Sequence, residues 1–460
     1  MVEALGLTGD PSTGRVLPAI TDPLPLLGRR LFFTKGLGGQ MDAACVTCHH
    51  PMLGGGDGLS LAIGVDAVDE DLLGPNRLHD PTGVNHDGGP TVPRNSPTTF
   101  NLGMWDSGVF WDSRVESLTK APGANGAGNI DTPDSPGFGT VDLNAGANLA
   151  AAQARFPITS GEEMRAFVFE QGNSNDVIRD HLAARVGNYG VGAGEIAENW
   201  LPLFQTGFSD PGGTAMSLIT YSNIAHAIGE YERSQVFVNS PWKAFVQGNN
   251  AAISPAAKRG ALLFFRPRQR GGFNCASCHS GDFFTDKQHY PLAIPQLGRG
   301  KGKAGTNSLS SQDHGRMAVS GDPADDFAQR VPSLLNLAAT GPYGHSGAYT
   351  TLDGMVRHHL NAQMAWANYD YSQLAPGVQT GDTWPNTQEQ LSHLITFRSG
   401  GGTTIEDYVF TDAQVADVVA FLLSLTDPAV LSPAALEPWV QRQDGFDSLL
   451  LEAHDGVNPL

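Results

Sequence analysis

Two stretches of the chain hold residues whose types and spacing can do chemistry as a set: CVTCH at 45–49 and CASCH at 275–279. In a C-x-x-C-H pattern two thiols bond covalently to the vinyl groups of a porphyrin, and the adjacent histidine reaches its iron, which is how a c-type haem is attached. Cys45, Cys48, Cys275 and Cys278 are all four cysteines of the chain, so no thiol is left for a disulfide or another metal site. A redox C-x-x-C pair or half of a zinc site would make His49 and His279 coincidences twice over. The motifs therefore predict two covalently bound haem c groups, with His49 and His279 as proximal iron ligands.

Composition limits the scaffold that must hold them. A chain of 460 residues is long enough for two or three domains, each with its own core. With 40% hydrophobic residues, 56 glycines and 30 prolines it reads as globular, soluble and rich in loops. The 47 acidic against 28 basic residues give a formal charge of -19, which disfavours nucleic acid and anionic membrane surfaces as partners. Such a surface suits a redox partner with a basic face, and it also serves solubility alone. No run of about 18 apolar residues occurs, so no membrane span is expected. The opening MVEALGLTGDPSTG lacks the charged and apolar regions of a signal peptide. Covalent haem attachment of this kind happens outside the cytoplasm in bacteria, so the motifs predict a periplasmic or otherwise extracytoplasmic protein whose signal segment is not in this chain.

Apolar positions at helical spacing in LPLLGRRLFF (24–33) predict a helix, broken by Gly36 to Gly39 before the first motif. The same order of helix, glycine-bearing loop and haem motif returns with AAKRGALLFF (256–265), which reads as an internal duplication. The expected fold is mostly α: two tandem cytochrome c-like domains with long irregular loops and the haems near the domain interface. Their bounds are an amino-terminal arm at 1–21, a first domain at 22–240, a second at 241–430 and a carboxy-terminal arm at 431–460. HPMLGGGDGLSLAIG (50–64) is too glycine-rich for regular helix and is expected to wrap a haem edge. Residues 365–403 read as a polar insertion whose aromatics and turn residues form a surface loop or partner contact. TDAQVADVVAFLLSL (411–425) predicts a closing helix with Thr411 as N-cap, and the tail an arm with a short helix near Leu449.

Five segments, LGRRLFF, RNSPTTFN, FWDSRVESL, IAHAIGEYERS and VPSLLNLAATGPYGHSGAYTTL, stand in this order around the two haem motifs. From about Leu24 to Leu425 the chain resembles the bacterial dihaem cytochrome c peroxidases and their MauG-like relatives. The resemblance implies unequal haems: the first has an open face where peroxide reacts, and the second is six-coordinate and relays electrons. Splitting peroxide requires a group that moves a proton between its two oxygens, so that one leaves as water. The family's glutamate, directly before a methionine, is matched by Glu163 before Met164, with Glu162 the runner-up. A family glutamine is replaced by Ala121, followed by an inserted segment at about 122–152.

The same resemblance places other roles. Many of the family's peroxidases close the first haem with a histidine sixteen residues after the haem histidine; that position is Val65, so an open or water-bound iron is expected. His79 and His86 are the loop histidines that could substitute. Trp111 matches a tryptophan between the haems, whereas Trp105 lacks the motif match. An interdomain calcium ion is implied, held by Asn95 and by the carbonyls of Thr340 and Pro342. The distal ligand of the second haem falls on His359, fourteen residues beyond His345, with His358, Met355 and Met364 as alternatives. Two histidines would lower the reduction potential relative to His/Met ligation. The expected activity is an oxidoreductase one, reduction of hydrogen peroxide to water with electrons from a cytochrome c or cupredoxin. One alternative is MauG-like oxidation of a partner protein, favoured by Val65 and His359; another is a dihaem electron carrier without turnover. Dimers are common in the family, so a homodimer is also among the expectations.

Overall fold

The two haem motifs each follow a helix that crosses a second helix, and the crossings are built alike. The structure, a computed structural model, describes residues 5–83, 86, 88–301, 312–401 and 405–460; residues 1–4 of the expected arm and 402–403 of the second insertion lie outside them. Its main helices are α1 (Pro23–Phe33), α2 (Leu149–Gln153), α3 (Asn175–Gly187), α4 (Tyr221–Arg233), α5 (Pro255–Phe265), α6 (Leu352–Leu360), α7 (Thr383–Ser399) and α8 (Asp412–Leu423). Proline opens both α1 and α5, where its missing N–H costs nothing. Thr411 caps α8 by accepting from the Gln414 amide, as its sequence predicts.

Helix α1 packs on α4, and α5 packs on α8. At both crossings a glycine lies against a partner carbonyl. A Cβ on Gly28 would stand 1.8 Å from Ala227 O, and one on Gly260 1.9 Å from Asp417 O. Each glycine holds the same place before a Phe–Phe pair, Phe32–Phe33 in α1 and Phe264–Phe265 in α5. An aromatic ring then fills the same side of each crossing, Tyr231 on α4 and Phe421 on α8. The duplication read from sequence thus has a counterpart in close helix packing.

Two large apolar clusters grow from these pairs. One joins α1, α3 and α4; the other joins α5, α6 and α8 but also takes in Leu102, Trp105, Val109 and Leu149, so apolar packing runs across residue 240. The termini cross over. Thr8 and Gly9 donate their amides to the Asp282 carboxylate beside the second motif, at 3.0 and 2.7 Å. At the other end, the Lys35 amide donates to Leu449 O and the Leu451 amide to Phe33 O. The short helix expected near Leu449 is therefore absent, because its backbone groups are spent on the end of α1.

Both insertions are more ordered than their sequences predict. In the first, β3 (Ile130–Asp131) pairs antiparallel with β2 (Val115–Ser117), which pairs with β1 (Gly108–Val109). Helix α2 then docks on α4 at Gly229, where a Cβ would stand 2.6 Å from Ala151 N. In the second insertion the expected surface loop is corrected: α7, of 17 residues, occupies its latter half. Its inner face is Thr383, Asn386, Thr387, Gln390, Leu391 and Leu394, a helical stripe in which four of six residues are polar, which hid it from an apolar-periodicity reading. A second short ladder pairs β4 (His289–Pro291) with β5 (Ala328–Arg330). Among the described residues no helix is long and apolar enough to cross a membrane.

Replacing Gly28 or Gly260 by alanine would gain about 1 kcal/mol of helix propensity. Overpacking against a backbone carbonyl costs about 1–3 kcal/mol, and more where the neighbour cannot move. A net loss of stability is expected for each variant, read as a lower guanidinium midpoint; an unchanged or raised midpoint would contradict the close crossings.

Candidate functional site

Cys45–Cys48 form a single helical turn after extended Ala44, and the chain leaves that turn at His49. The His49 Nδ1–H donates to Gly55 O at 3.1 Å, which leaves Nε2 for a metal. His279 repeats this, donating Nδ1–H to Phe284 O at 3.1 Å. Burial lowers the pKa of both rings, that of His279 to about 4, and so holds them in the neutral form that ligates metals. The same burial pushes the four thiols up, Cys275 to about 12, which suits neutral thiols and not the thiolates of a zinc site. Each Cys–Cys–His set faces a cavity of its own.

Across the second cavity from His279 stands His359, with ring centroids 6.3 Å apart. Two imidazole nitrogens each about 2.0–2.1 Å from a shared metal ion put their ring centres about 6 Å apart. The Nδ1–H of His359 donates to Met355 O at 2.9 Å, which frees its Nε2 as well. His358 differs: its Nδ1 accepts from Tyr349 OH and its Nε2–H donates to Leu292 O, both at 2.8 Å, so neither nitrogen is free. Met355 lines the same cavity, while Met364 is exposed at the surface. His345 is buried against this cavity with Nε2 unpartnered. The donor sets fit two haem c groups.

Glu163 lines the first cavity, on a π-helical turn, Gly161–Arg165, that ends at Ala166 with φ 60°. Such turns recur at functional sites. Burial raises the Glu163 pKa, against the opposing charges of Arg114 and Lys301. Glu162 turns away and accepts from Ser160 Oγ at 3.2 Å. Val65 is fully buried in a small cluster with Ala43 and Ala166, behind the glutamate turn. There Gly64 presses on the backbone: a Cβ on it would meet Glu163 O at 2.3 Å. The His79 and His86 rings meet at a tilt, with centroids 5.2 Å apart, and neither residue is among those lining the first cavity.

Between the cavities lies Trp111, which lines both. Its Nε1–H donates to Asn95 O at 2.9 Å, and its carbonyl accepts from the Arg330 amide at 2.7 Å. Trp105 also lines both, under the Arg330 guanidinium at 3.6 Å, although it lacks a motif match. Next to Asn95, Arg94 is buried and bridges two segments, taking Asp313 through Nε and Nη2 at 2.6 Å each and Asp112 through Nη1 at 2.5 Å. Burial works to raise both carboxyls, and Arg94 holds them well below the usual carboxylate range.

Asn95 and Thr340 line a void of about 10 Å³, room for one water or ion, together with Asp57. The Asn95 Nδ2 donates to Leu59 O at 2.7 Å. Asp57 is 1% exposed, and burial pushes its carboxyl up to about 7. These are oxygen donors suited to a hard cation. Pro342 lines the second cavity instead.

Sequence reasoning missed Asp57, Lys301, Arg330 and Glu232. Lys301 lines the first cavity while part of its side chain stays exposed, and desolvation on the cavity side with the charges of Arg114 and Arg94 lowers its pKa. Glu232 lines it too, raised to about 8 by burial, with Oε2 unpartnered. A carboxylate on the buried stripe of α4 was the available signal for Glu232; for Lys301 no local pattern existed.

Residues 24–251 match the family model described as Di-haem cytochrome c peroxidase. The chain is 27% identical to the methylamine utilization protein MauG of Methylorubrum extorquens, over 73% of this chain and 67% of that protein. It is 26% identical to the cytochrome c551 peroxidase of Pseudomonas aeruginosa, over 76% of this chain and 73% of that one. Two solved structures share the fold, each with a TM-score of 0.56. A MauG-like protein associated with microbial copper homeostasis is 21% identical and matches over 92% of this chain and 96% of that one. The diheme peroxidase BthA from Burkholderia thailandensis is 20% identical, over 91% and 89%.

The Arg94 cluster has a signed pH dependence. Asp112 and Asp313 titrate below their unfolded value in the folded chain, so their contribution is complete above about pH 4 and is lost as the pH falls further. Arg94→Met should abolish that acid-side loss and lower stability at neutral pH by about 3–5 kcal/mol, the usual cost of orphaning buried charge. Acid unfolding followed by circular dichroism checks both; a variant with the wild-type profile would contradict the assignment.

Proposed function

The chain belongs to the dihaem cytochrome c peroxidase and MauG-like family and is an oxidoreductase with haem c cofactors, and from that footing we propose that it reduces hydrogen peroxide to water beside Glu163. One observation carries the reading: of the two adjacent glutamates only Glu163 lines the cavity of His49, and Trp111 forms a wall common to it and the cavity of His279. Cys45, Cys48 and His49 would hold one haem, and Cys275, Cys278, His279 and His359 the other. Bound haem supplies an iron centre able to take up the oxidising power of peroxide.

The residues of the chain supply proton control and a path. Glu163, with its raised pKa, takes a proton from the nearer peroxide oxygen and returns it to the farther one, which departs as water. The charges of Arg114 and Lys301 oppose that rise and favour the carboxylate, the form that acts as the base first. Among the described residues lining this cavity His49 is the one histidine, which leaves the face toward Glu163 without a second imidazole. Trp111, fixed by Asn95 and Arg330, offers its indole to electrons moving between the two sites. We infer an extracytoplasmic location from the chemistry of haem attachment, and a small cytochrome c or cupredoxin as donor. His359 favours a second reading, oxidation of a partner protein, because an imidazole stabilises higher iron states than a thioether does.

The test is Glu163→Gln. General acid–base groups contribute about 10²–10⁴-fold, and a slowing of peroxide cleavage of that order with unchanged haem content is expected in stopped-flow mixing. Wild-type kinetics in the variant would remove Glu163 from the reaction.

We also propose that the void at Asn95, Thr340 and Asp57 holds calcium. Chelation should lower the melting temperature, and calcium but not magnesium should restore it, with about 2.7 kcal/mol of stabilisation at a hundred times the dissociation constant. Insensitivity to chelator and calcium would reject this site.

A further inference from the structure

From His359 a path of touching aromatic rings runs to the surface of the second insertion. The His359 and His358 rings lie 6.5 Å apart, His358 and Tyr349 5.3 Å, and Tyr349 and Tyr369 5.6 Å. The path continues to Trp366 at 5.8 Å and from there to Trp384 at 5.0 Å, with Tyr371 beside Tyr369 at 5.0 Å. Tyr349 and Trp366 are buried, at 4% and 3% exposure; Trp384 is 57% exposed and Tyr371 39%. Among the described residues these two are the tryptophan and tyrosine most open to solvent, and both stand at the outer end of the path.

Core packing explains Trp366, which sits with Ala293, Leu391 and Leu394. It does not explain an indole left mostly in water against a buried one. Nor does it explain a buried phenol spent on an imidazole whose other nitrogen is tied to a carbonyl. Easily oxidised rings in unbroken contact are what electron transfer by short steps requires.

We propose that this path carries electrons inward from electron-rich aromatic groups, phenols or indoles, presented at Trp384 and Tyr371, so that the insertion is a second oxidation site at the protein surface. The inference rests on the peroxide reaction proposed above, which supplies the oxidant. One peroxide takes up two electrons and two protons and becomes two waters. The electrons leave Trp384 one at a time by way of Trp366, Tyr369 and Tyr349. The Tyr349 hydroxyl stays in its hydrogen bond to His358 Nδ1 as each electron passes, so that its proton is shared within that bond and not lost to solvent. With no outside reductant, Trp384 and one water together release two electrons and two protons, the indole exchanging a ring C–H for C–OH, so indole and peroxide yield a hydroxylated indole and one water.

The experiment treats the haem-loaded full chain with hydrogen peroxide, without donor protein, and maps oxygen addition by peptide mass spectrometry. Addition at Trp384 well above that at half-buried Trp439, which lies off the path, is the expected result. Tyr349→Phe and Trp366→Phe should lose the Trp384 signal while haem absorption, and peroxide consumption in a parallel assay supplied with a reduced donor protein, stay as in wild type. Trp384→Phe, a surface change, should likewise lose peroxide-driven coupling of the probe N-acetyltyrosinamide. Peroxide consumed with no excess at Trp384, or with the same excess in Tyr349→Phe and Trp366→Phe, overturns the path and leaves the peroxidase reading standing. If peroxide is not consumed, both fall.

Discussion

The buried guanidinium of Arg94 is the constraint on which the site depends. It grips Asp313 from the second half of the chain and Asp112 from the segment that carries Trp111, while the next residue, Asn95, takes the Trp111 indole and gives its own amide to His345 O. Removing an ion cluster of this kind from water offers little net stability, since desolvation offsets most of the Coulomb gain. Its value is in register. A guanidinium with two fixed carboxylates admits one arrangement of the three segments, and that arrangement puts Trp111 in the wall common to both cavities.

Around this joint the chain uses one device twice and then varies it. The glycine crossings of α1 on α4 and of α5 on α8 set the same helix pair behind each motif, and each proximal histidine is aimed by the same Nδ1 to carbonyl bond. What differs is the opposite wall. In the second cavity a helix presents His359 at a distance suited to a shared metal; in the first a π-helical turn presents a carboxyl whose pKa burial raises. The two motifs sit in sockets built alike, and in the function proposed for the chain these facing residues would make one a relay and the other a place for proton transfer.

Much of this was legible in the sequence because it lives in covalent spacing or apolar period. The C-x-x-C-H motifs, the LGRRLFF and KRGALLFF helices and the Thr411 cap are local, and the structure keeps them. The choices between neighbours, Glu163 over Glu162 and His359 over His358, needed the family's register; the structure adds that the rejected partners are hydrogen-bonded elsewhere. What stayed hidden was long-range or polar. Helix α7 buries Thr, Asn and Gln along its stripe, Lys301 enters the first cavity from beyond the second motif, and the carboxy-terminal arm gives its backbone to α1 and not to a helix of its own. None of these leaves a periodic trace.

The central claim is that the two iron sites are unequal, the first open toward Glu163 and the second closed by His359. Low-temperature electron paramagnetic resonance of the fully oxidised haem-loaded protein tests it most directly. One high-spin signal together with one low-spin signal of bis-imidazole type is the predicted spectrum. Two low-spin signals, or a low-spin centre with His/Met character, would contradict it.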